Sequence, residues 1–194
     1  MDFSIRTAAT REDAIFIARE VISNQPVYLD TETTGLHSED EIIEIAIIDH
    51  EGILKLESLI HPTIPIPLSS IRIHGISDPG VRQVLFWNEI WPQVKDLLKN
   101  HKVCTYNSEF DKRMMQQTHR KFKMTWDQEP IFFDIMGLFS IFNQAWDPIH
   151  RSYRLIRLEN AGRMMGIPLP NSHRSLDDAR LARAVLHSIA GLPY

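Results

Sequence analysis

The chain has 194 residues, of which 43% are hydrophobic and 24% carry a charged side chain. This composition is typical of a globular protein with an ordinary core, and it excludes a disordered or fibrous chain. The net charge of −4 argues against a protein that binds nucleic acid through one broad basic face, although it leaves room for an enzyme that holds only a few nucleotides.

The sequence offers no candidate for a membrane span or a disulfide framework. No apolar run approaches the ~18 residues that a transmembrane helix requires, and the first residues lack the apolar region of a signal peptide. Because Cys104 is the single cysteine, no disulfide can form within the chain. We therefore expect a cytoplasmic protein in which Cys104 is a buried, small hydrophobic residue.

The hydrophobic pattern of the first third predicts one helix followed by three strands. Apolar residues recur at helical spacing in the first segment, and Pro26 separates this segment from the first strand. The second strand is an almost continuous apolar run, as in a strand that is buried on both faces, and the turn Glu51-Gly52 leads to the third. We assign the helix to residues 11–23 and the strands to 27–32, 41–49 and 53–60.

The rest of the chain predicts alternating strands and helices. Residues 61–82 are rich in Pro and Ser and are expected to form a loop with short turns. The next helix carries Trp87 and Trp91 as core anchors, with Pro92 in its first turn. This order predicts an α/β protein whose sheet has helices packed on its faces. We assign further strands to 102–106 and 130–134, and further helices to a segment from about 108 and to 135–145, about 156–165 and about 176–190.

Two acids lie in the first predicted strand. Asp30 and Glu32 are two positions apart, so both carboxylates project from the same face of the strand. Like charges at this distance raise each other's pKa unless a cation lies between them. Carboxylate oxygens of this kind suit Mg²⁺ or Mn²⁺, although the spacing alone also fits two solvated acids at the end of a strand.

Three further residues are candidates for the same site. Asp111 and Asp178 each stand three positions after a serine, and this spacing taken singly favours a capping box at the start of a helix. Both acids would still lie in the first turn of a helix, at the end of the sheet. His173 lies in a loop five positions before Asp178, where it can take a proton from water or be no more than an exposed histidine.

Taken together, these residues resemble the DnaQ-like, or DEDDh, exonuclease family. The family's three motifs match in the right order, and two shorter stretches between them are also similar. The resemblance covers about residues 26–190 of what we expect to be a single exonuclease domain over 1–194. The matching segments are Asp30-Thr31-Glu32-Thr33-Thr34-Gly35-Leu36, Ile42-Ile43-Glu44-Ile45-Ala46, His74-Gly75-Ile76-Ser77-Asp78, Asn107-Ser108-Glu109-Phe110-Asp111 and His173-Arg174-Ser175-Leu176-Asp177-Asp178-Ala179.

The resemblance implies an RNase H-like fold with a mixed five-stranded sheet flanked by helices. It implies 3′→5′ hydrolysis of the terminal phosphodiesters of single-stranded nucleic acid, with two divalent ions, Mg²⁺ or Mn²⁺, and with release of 5′-nucleoside monophosphates. Asp30 is expected to bind both ions. Glu32 and Asp178 complete the site of the ion that carries the attacking water, and Asp111 holds the other ion. His173 is expected to be the general base.

The resemblance also assigns residues around the four acids. Its spacing selects Asp178 rather than the adjacent Asp177, which is expected to face away from the site. Tyr106 stands where relatives often have His, a difference that is expected to change packing behind the site but not metal binding. The residues expected to contact or support the 3′-terminal nucleotide are Thr31, Thr33, Gly35, Leu36, His74 and Asn107.

Three hypotheses on function stay open on the sequence alone. A free-standing exonuclease uses the complete set of four acids and the histidine, and a non-catalytic binding module, which the intact set disfavours, keeps only the fold. A proofreading or repair subunit docks on a DNA polymerase. We favour DNA as the substrate, with an RNA-trimming exoribonuclease of the same family as the alternative, and the oligomeric state stays open.

A docking subunit needs an exposed apolar patch. The stripe of Trp87 and Trp91, or the stretch 138–149, could supply one. The chain ends soon after the last predicted helix, whereas proofreading subunits of this family carry a further segment that docks on the polymerase. We therefore expect a free-standing exonuclease before a polymerase subunit.

Overall fold

A five-stranded sheet lies at the centre of the computed structural model, which describes residues 10–127, 129–170 and 172–194. Its strands are β1 (Val27–Thr33), β2 (Ile42–Ile48), β3 (Leu54–Leu59), β4 (Lys102–Thr105) and β5 (Ile131–Asp134). In space they follow the order β3-β2-β1-β4-β5. The first three strands form an antiparallel meander, whereas β4 runs parallel to β1 and β5 runs parallel to β4. This is the mixed sheet that the sequence predicts.

Helices cover both faces of the sheet, and each face has its own core. One core joins α1, α6 and α8 to β1 through Tyr28, and the other joins α4 and α5 to β1 through Leu29. Because the sheet is buried on both faces, β2 is apolar at nearly every position, as expected. The helices are α1 (Arg11–Ser23), α2 (Leu68–His74), α3 (Asp78–Val81), α4 (Trp87–Leu98), α5 (Ser108–Lys121), α6 (Ile135–Asn143), α7 (Leu158–Met164) and α8 (Ser175–Ala190).

The region expected to be a loop, 61–82, contains α2 and α3, so that prediction was wrong in part. Pro67 precedes α2, and Gly75 follows it with a left-handed φ of 74°. A proline before a helix and a left-handed glycine after it are common helix boundaries. The helix between them has seven residues, which is too short for its apolar period to stand out in the sequence.

Pro92 lies deeper in its helix than expected. It is the sixth residue of α4 and therefore lies beyond the first turn. The helix begins early because the Glu89 carboxylate accepts a hydrogen bond from the Phe86 N–H at 2.8 Å. Proline has no N–H for the carbonyl of Asn88, but Asn88 is exposed, so water can replace the lost partner.

The helix expected over 135–145 is shorter, and an unpredicted hairpin follows it. The helix ends at Asn143, and Gln144 has a left-handed φ of 55°. Two short strands, β6 (Trp146–Asp147) and β7 (Ser152–Tyr153), then pair antiparallel outside the main sheet. Two-residue strands leave no alternating pattern that the sequence could reveal.

The core predictions are confirmed, and most apolar side chains of the two candidate docking patches are buried. Trp87 and Cys104 are fully buried, and Trp91 is 6% exposed. In the stretch 138–149, the apolar side chains of α6 point into the core, and Trp146 and Ile149 are the large hydrophobic residues that it exposes. Among the described residues, no helix is both long enough and apolar enough to cross a membrane.

Candidate active site

Three carboxylates meet where β1 passes the beginning of α8. Asp30 and Glu32 are partly buried and project from the same face of β1, and Asp178 is buried in the first turn of α8. Each of the three offers an oxygen that lies within 4.8 Å of the others. Buried acids at this distance can share one cation.

Asp111 lies next to this group and is held separately. It is 2% exposed in the first turn of α5, and one of its oxygens accepts a hydrogen bond from the Thr31 hydroxyl at 2.8 Å. Thr31 stands between Asp30 and Glu32 in β1 and points to the opposite face of the strand. The Thr31 side chain therefore links β1 to α5.

Burial and mutual repulsion raise the pKa values of these acids. Burial is the largest cause for Asp30, whose pKa lies well above its ordinary value, and the charges of Asp111 and Asp178 raise it further. Burial and the charge of Asp178 likewise raise the pKa of Glu32 to about 8. Burial raises the pKa of Asp111 to about 7, although the hydrogen bond from Thr31 opposes the rise. Near neutral pH the group therefore favours protons or a cation.

Asp111 and Asp178 do not form capping boxes. Ser108 and Ser175 are the first helical residues rather than the caps, and the cap positions make no side-chain hydrogen bond to the helix. The true capping box of this kind lies at the start of α1, between Thr10 and Asp13. The capping interpretation of the two acids was therefore wrong, and both side chains are available to the acidic group.

Asp134 at the end of β5 orients the helix that carries Asp111. Its carboxylate accepts hydrogen bonds from the N–H groups of Asn107 at 3.1 Å and of Ser108 at 3.4 Å, and from two N–H groups at the start of α6. This anchor supports the left-handed φ of 80° at Asn107, where the chain turns from β4 into α5. The sequence can indicate that Asp134 caps α6, because an Asp immediately before a helix is a common N-cap. It does not indicate the contact of Asp134 with the start of α5, because those residues are far apart in the sequence.

Glu44 and Arg174 fix the beginning of α8 on the sheet. Glu44 lies opposite Glu32 in the β1–β2 pair and is 1% exposed. Its carboxylate accepts hydrogen bonds from Arg174 Nε at 3.0 and 3.2 Å, from a second nitrogen of the same guanidinium, and from the Ser175 N–H at 2.9 Å. An acid inside the apolar run of β2 is the sequence signal for a buried partner. The sequence does not identify Arg174 as that partner.

The loop after β1 is held close to the acids. The Asp40 carboxylate accepts hydrogen bonds from the Thr34 hydroxyl at 2.8 Å and from the His37 N–H at 2.7 Å. A Cβ at Gly35 would lie 2.6 Å from this carboxylate, so the approach requires glycine. Leu36 is 68% exposed, while Arg113 on α5 donates a hydrogen bond to its carbonyl at 3.1 Å. The loop thus presents Leu36 to solvent on a fixed backbone.

The two candidate histidines lie in different environments. His74 ends α2 and is 5% exposed; its Nδ1 accepts a hydrogen bond from the Ile76 N–H at 3.0 Å, and burial lowers its pKa. His173 is exposed, has a left-handed φ of 50° and borders an open pocket between α7 and α8. His173 is therefore open to solvent, whereas His74 is buried.

We predict that the metal-free protein loses stability as pH rises. The folded-state pKa of Glu32, about 8, lies above its ordinary value of 4.5, so the folded protein binds more protons than the unfolded chain between those values. The free energy of unfolding in a chelator should therefore fall from about pH 5 to pH 8, and Mg²⁺ or Mn²⁺ should restore it most at the higher pH. Thermal unfolding with EDTA or with each metal measures this.

Glu32→Gln is the matched variant for that experiment. It removes one of the repelling charges, so its stability in EDTA should depend less on pH and should exceed that of the wild type at pH 8. A wild-type stability that rises between pH 6 and pH 8 in EDTA, or a metal effect that is independent of pH, would contradict the assignment of these pKa shifts.

We further predict unequal effects of the two changes that break the Glu44–Arg174 pair. Arg174→Gln leaves the buried Glu44 carboxylate without its positively charged partner. It should lower the free energy of unfolding by about 2–4 kcal/mol, which is somewhat less than for a fully buried pair because Arg174 is partly exposed. Glu44→Gln should cost less, about 1–2 kcal/mol. Urea denaturation in EDTA measures both, and the double variant should resemble Glu44→Gln. Strictly additive losses would show that the two side chains do not interact.

Comparisons with known proteins agree on the family of this chain. A family model described as Exonuclease, of the RNase T type, matches residues 27–186. The uncharacterized exonuclease CP81 of Escherichia phage 186 is 29% identical over 178 residues, which are 89% of this chain and 92% of that protein. A PolC-type DNA polymerase III of Thermotoga petrophila is 31% identical over 163 residues, which are 82% of this chain but 11% of the polymerase.

The fold has a counterpart among solved structures. The zinc-bound complex of Escherichia coli ExoI with single-stranded DNA superposes with a TM-score of 0.67 at 17% sequence identity. The match covers 87% of this chain and 40% of that one, so the chain spans less than half of the ExoI structure. The chain therefore belongs to the exonuclease family, as its DnaQ-like motifs imply.

Proposed function

We propose that this chain is a 3′→5′ exonuclease that removes single nucleotides from the ends of single-stranded nucleic acid. The observation that supports this most directly is the group of Asp30, Glu32 and Asp178, with Asp111 beside it, on the central strand β1 and the adjoining helix ends. Burial raises the pKa values of Asp30, Glu32 and Asp111, and the charge of Asp178 adds to the rise at Asp30 and Glu32, so the group is costly to bury as free carboxylates and well suited to bind a cation. We propose that the motif-bearing part, about residues 26–190, acts as one exonuclease domain.

Divalent metal ions are used throughout this family, and the donor set here fits them. Its ligands are carboxylate oxygens, which Mg²⁺ and Mn²⁺ prefer over the nitrogen and sulfur ligands of zinc sites. We propose that Asp30, Glu32, Asp111 and Asp178 hold two such ions. When bound, the ions supply positive charge for the attacking and the leaving oxygens of the phosphodiester.

The reaction that we propose is an in-line displacement at the terminal phosphorus. Water forms a bond to phosphorus while the bond from phosphorus to the 3′ oxygen of the preceding nucleotide breaks. His173 takes a proton from the attacking water, and the leaving 3′ oxygen gains a proton from solvent. The products are a 5′-nucleoside monophosphate and a strand shortened by one nucleotide. The exposed position of His173 on the loop before α8 supports this role.

The loop after β1 and the start of α5 are the proposed contacts for the terminal nucleotide. Leu36 is exposed on a fixed backbone and can pack against a base. We propose that the backbones of Thr31 and Gly35 and the exposed Asn107 contact the nucleotide, while the buried Thr33, whose hydroxyl donates a hydrogen bond to the Gly35 carbonyl at 2.7 Å, holds the loop in place. Since His74 is buried beneath this loop, we propose that it supports the site from behind instead of touching the nucleotide.

We propose DNA as the substrate and a free-standing activity as the role. The DNA polymerase relative and the ExoI complex with single-stranded DNA support DNA. Docking on a polymerase has less support, because Trp87, Trp91 and the apolar side chains of α6 are buried in the two cores.

A nuclease assay that compares substitutions of the site acids with a substitution of Asp177, the neighbour of Asp178, tests the proposal. Purified protein with Mg²⁺ or Mn²⁺ should shorten a 5′-labelled single-stranded oligonucleotide from its 3′ end and release 5′-monophosphates. Asp30→Asn and Asp178→Asn should each lower the rate more than about a hundredfold, the upper range for residues that only orient a metal ligand.

Asp177→Asn is the control, because this neighbouring acid accepts a hydrogen bond from Ser172 and is not assigned to the cation site. It should retain activity within a few-fold of the wild type. Equal activities of the wild type and Asp30→Asn would mean that the observed hydrolysis comes from a contaminant, and the proposed function would be withdrawn.

The role of His173 is tested by separating turnover from metal binding. His173→Ala should lower the rate by about 10²–10⁴-fold, the usual contribution of a general base. Mn²⁺ binding, measured by calorimetry, should stay near the wild-type value, since the four acids are unchanged. A parallel loss of metal affinity would assign His173 to the metal site instead.

A further inference from the structure

The unpredicted β6–β7 hairpin exposes aromatic and basic side chains together. Trp146 is 53% exposed, and its ring meets the ring of Tyr153 edge-on with centroids 5.5 Å apart and an interplanar angle of 82°. Tyr153 also packs against the core that joins α1, α6 and α8 to β1. The hairpin therefore holds one large aromatic face in solvent on a support that is anchored in the fold.

The turn of the hairpin is ordered by its one acid. The Asp147 carboxylate accepts hydrogen bonds from the N–H of Ile149 at 2.9 Å and from the N–H of His150 at 3.2 Å. Arg154 Nε lies 3.8 Å from the same carboxylate, and the Arg154 N–H donates to the Ala145 carbonyl at 2.9 Å, which closes the base of the hairpin. The Arg154 side chain remains 62% exposed.

The charge of this segment contrasts with that of the whole chain. Residues 146–157 contain three arginines and one aspartate, whereas the chain as a whole carries a net charge of −4. All three arginines are exposed. A local positive surface on an acidic protein fits a polyanion. We name this set, Trp146, Arg151, Arg154 and Arg157, the hairpin surface.

The hairpin surface lies at the end of the sheet that carries the acids. The Tyr106 hydroxyl donates a hydrogen bond to the Ile156 carbonyl at 2.8 Å, and Tyr106 immediately precedes Asn107 at the start of α5. The chain then enters α7, which packs against α8. The Ile156 carbonyl thus lies beside the end of β4 that leads into α5, and the segment continues into the helix that packs against α8.

We propose that the hairpin surface binds the single-stranded nucleic acid that lies upstream of the 3′ end, a proposal that rests on the proposed exonuclease function. The guanidinium groups of Arg151, Arg154 and Arg157 donate hydrogen bonds to successive phosphates, because their planar geometry matches phosphate oxygens. Trp146 stacks on one base, as aromatic side chains do in sequence-independent single-strand binding. The acids hold the terminal phosphodiester while the hairpin surface holds the strand behind it.

Substrate length separates this role from catalysis. A dinucleotide fills the acidic site and does not reach the hairpin, whereas a single strand of about 20 nucleotides covers both. We compare Trp146→Ala and Arg151→Gln/Arg154→Gln with the control Arg82→Gln/Arg120→Gln, which makes the same charge change at exposed positions elsewhere. Thermal unfolding checks that each variant is folded.

The hairpin variants should raise KM on the long strand and leave kcat/KM on the dinucleotide unchanged. Trp146→Ala should weaken the binding of the long strand by about five- to a hundredfold, which is the range for the loss of one base–aromatic stack. The double arginine variant should reduce the slope of log kcat/KM against log salt by about 1.4, the value for two lost phosphate contacts on a single strand. The control variant should match the wild type on both substrates.

Other outcomes overturn the proposal. Hairpin variants that match the wild type on the long strand would assign the surface to another class of partner, such as a protein. A loss that is equal on the dinucleotide and the long strand would mean that the changes act on the acidic site.

Failure of the exonuclease function itself gives a different result. In that case the wild type hydrolyses neither substrate, and fluorescence anisotropy of a labelled strand with Asp30→Asn, with and without the hairpin changes, still measures binding by the hairpin surface. Equal affinities of the two proteins would overturn the proposal there too.

Discussion

The repulsion among buried carboxylates at the end of β1 is the constraint on which the rest of the site depends. Asp30, Glu32 and Asp178 offer oxygens within 4.8 Å of one another, and Asp111 adds its charge from the neighbouring helix. When carboxylates are removed from water, their charges repel one another more strongly and each carboxylate loses its hydration. Protonation of the acids or a bound cation relieves this repulsion, which is why the acids are proposed to hold divalent ions.

Neighbouring groups hold the acids in place without neutralising them all. Glu44 fixes the start of α8 through Arg174, whose positive charge lowers the pKa of Glu32 against the other causes. Asp134 fixes the start of α5, and the hydroxyl of Thr31 holds Asp111 directly. Each contact joins a strand to the first turn of a helix, so the helix ends cannot move away from β1 even when the acids repel one another. The free energy needed to hold the acids close together is therefore supplied when the protein folds and not during the reaction.

The sequence predicts the parts of this arrangement that follow from a repeating pattern. The period of two in β1 brings Asp30 and Glu32 together, and the apolar run of β2 shows that the sheet is covered on both faces. The family resemblance adds Asp111 and Asp178 and corrects the capping interpretation that local spacing favours. The sequence does not show the pairing of Glu44 with Arg174, because the partners are 130 positions apart. Short elements such as α2 and the β6–β7 hairpin are not predicted from the sequence for a different reason, because they contain too few residues to show a hydrophobic period.

An acidic protein that acts on a polyanion must reconcile two opposed electrostatic demands. The chain carries a net charge of −4, and the four acids proposed to bind cations would by themselves repel the phosphates of a substrate. In the proposed function, two divalent cations would neutralise the four carboxylates at the reacting phosphodiester, and screening confines such a local change of charge to about 10 Å. Phosphates further along the strand lie beyond this range and need a positive surface of their own. The proposed hairpin surface between Trp146 and α7 would supply this positive charge, and with it the negative net charge of the chain would not oppose the binding of nucleic acid.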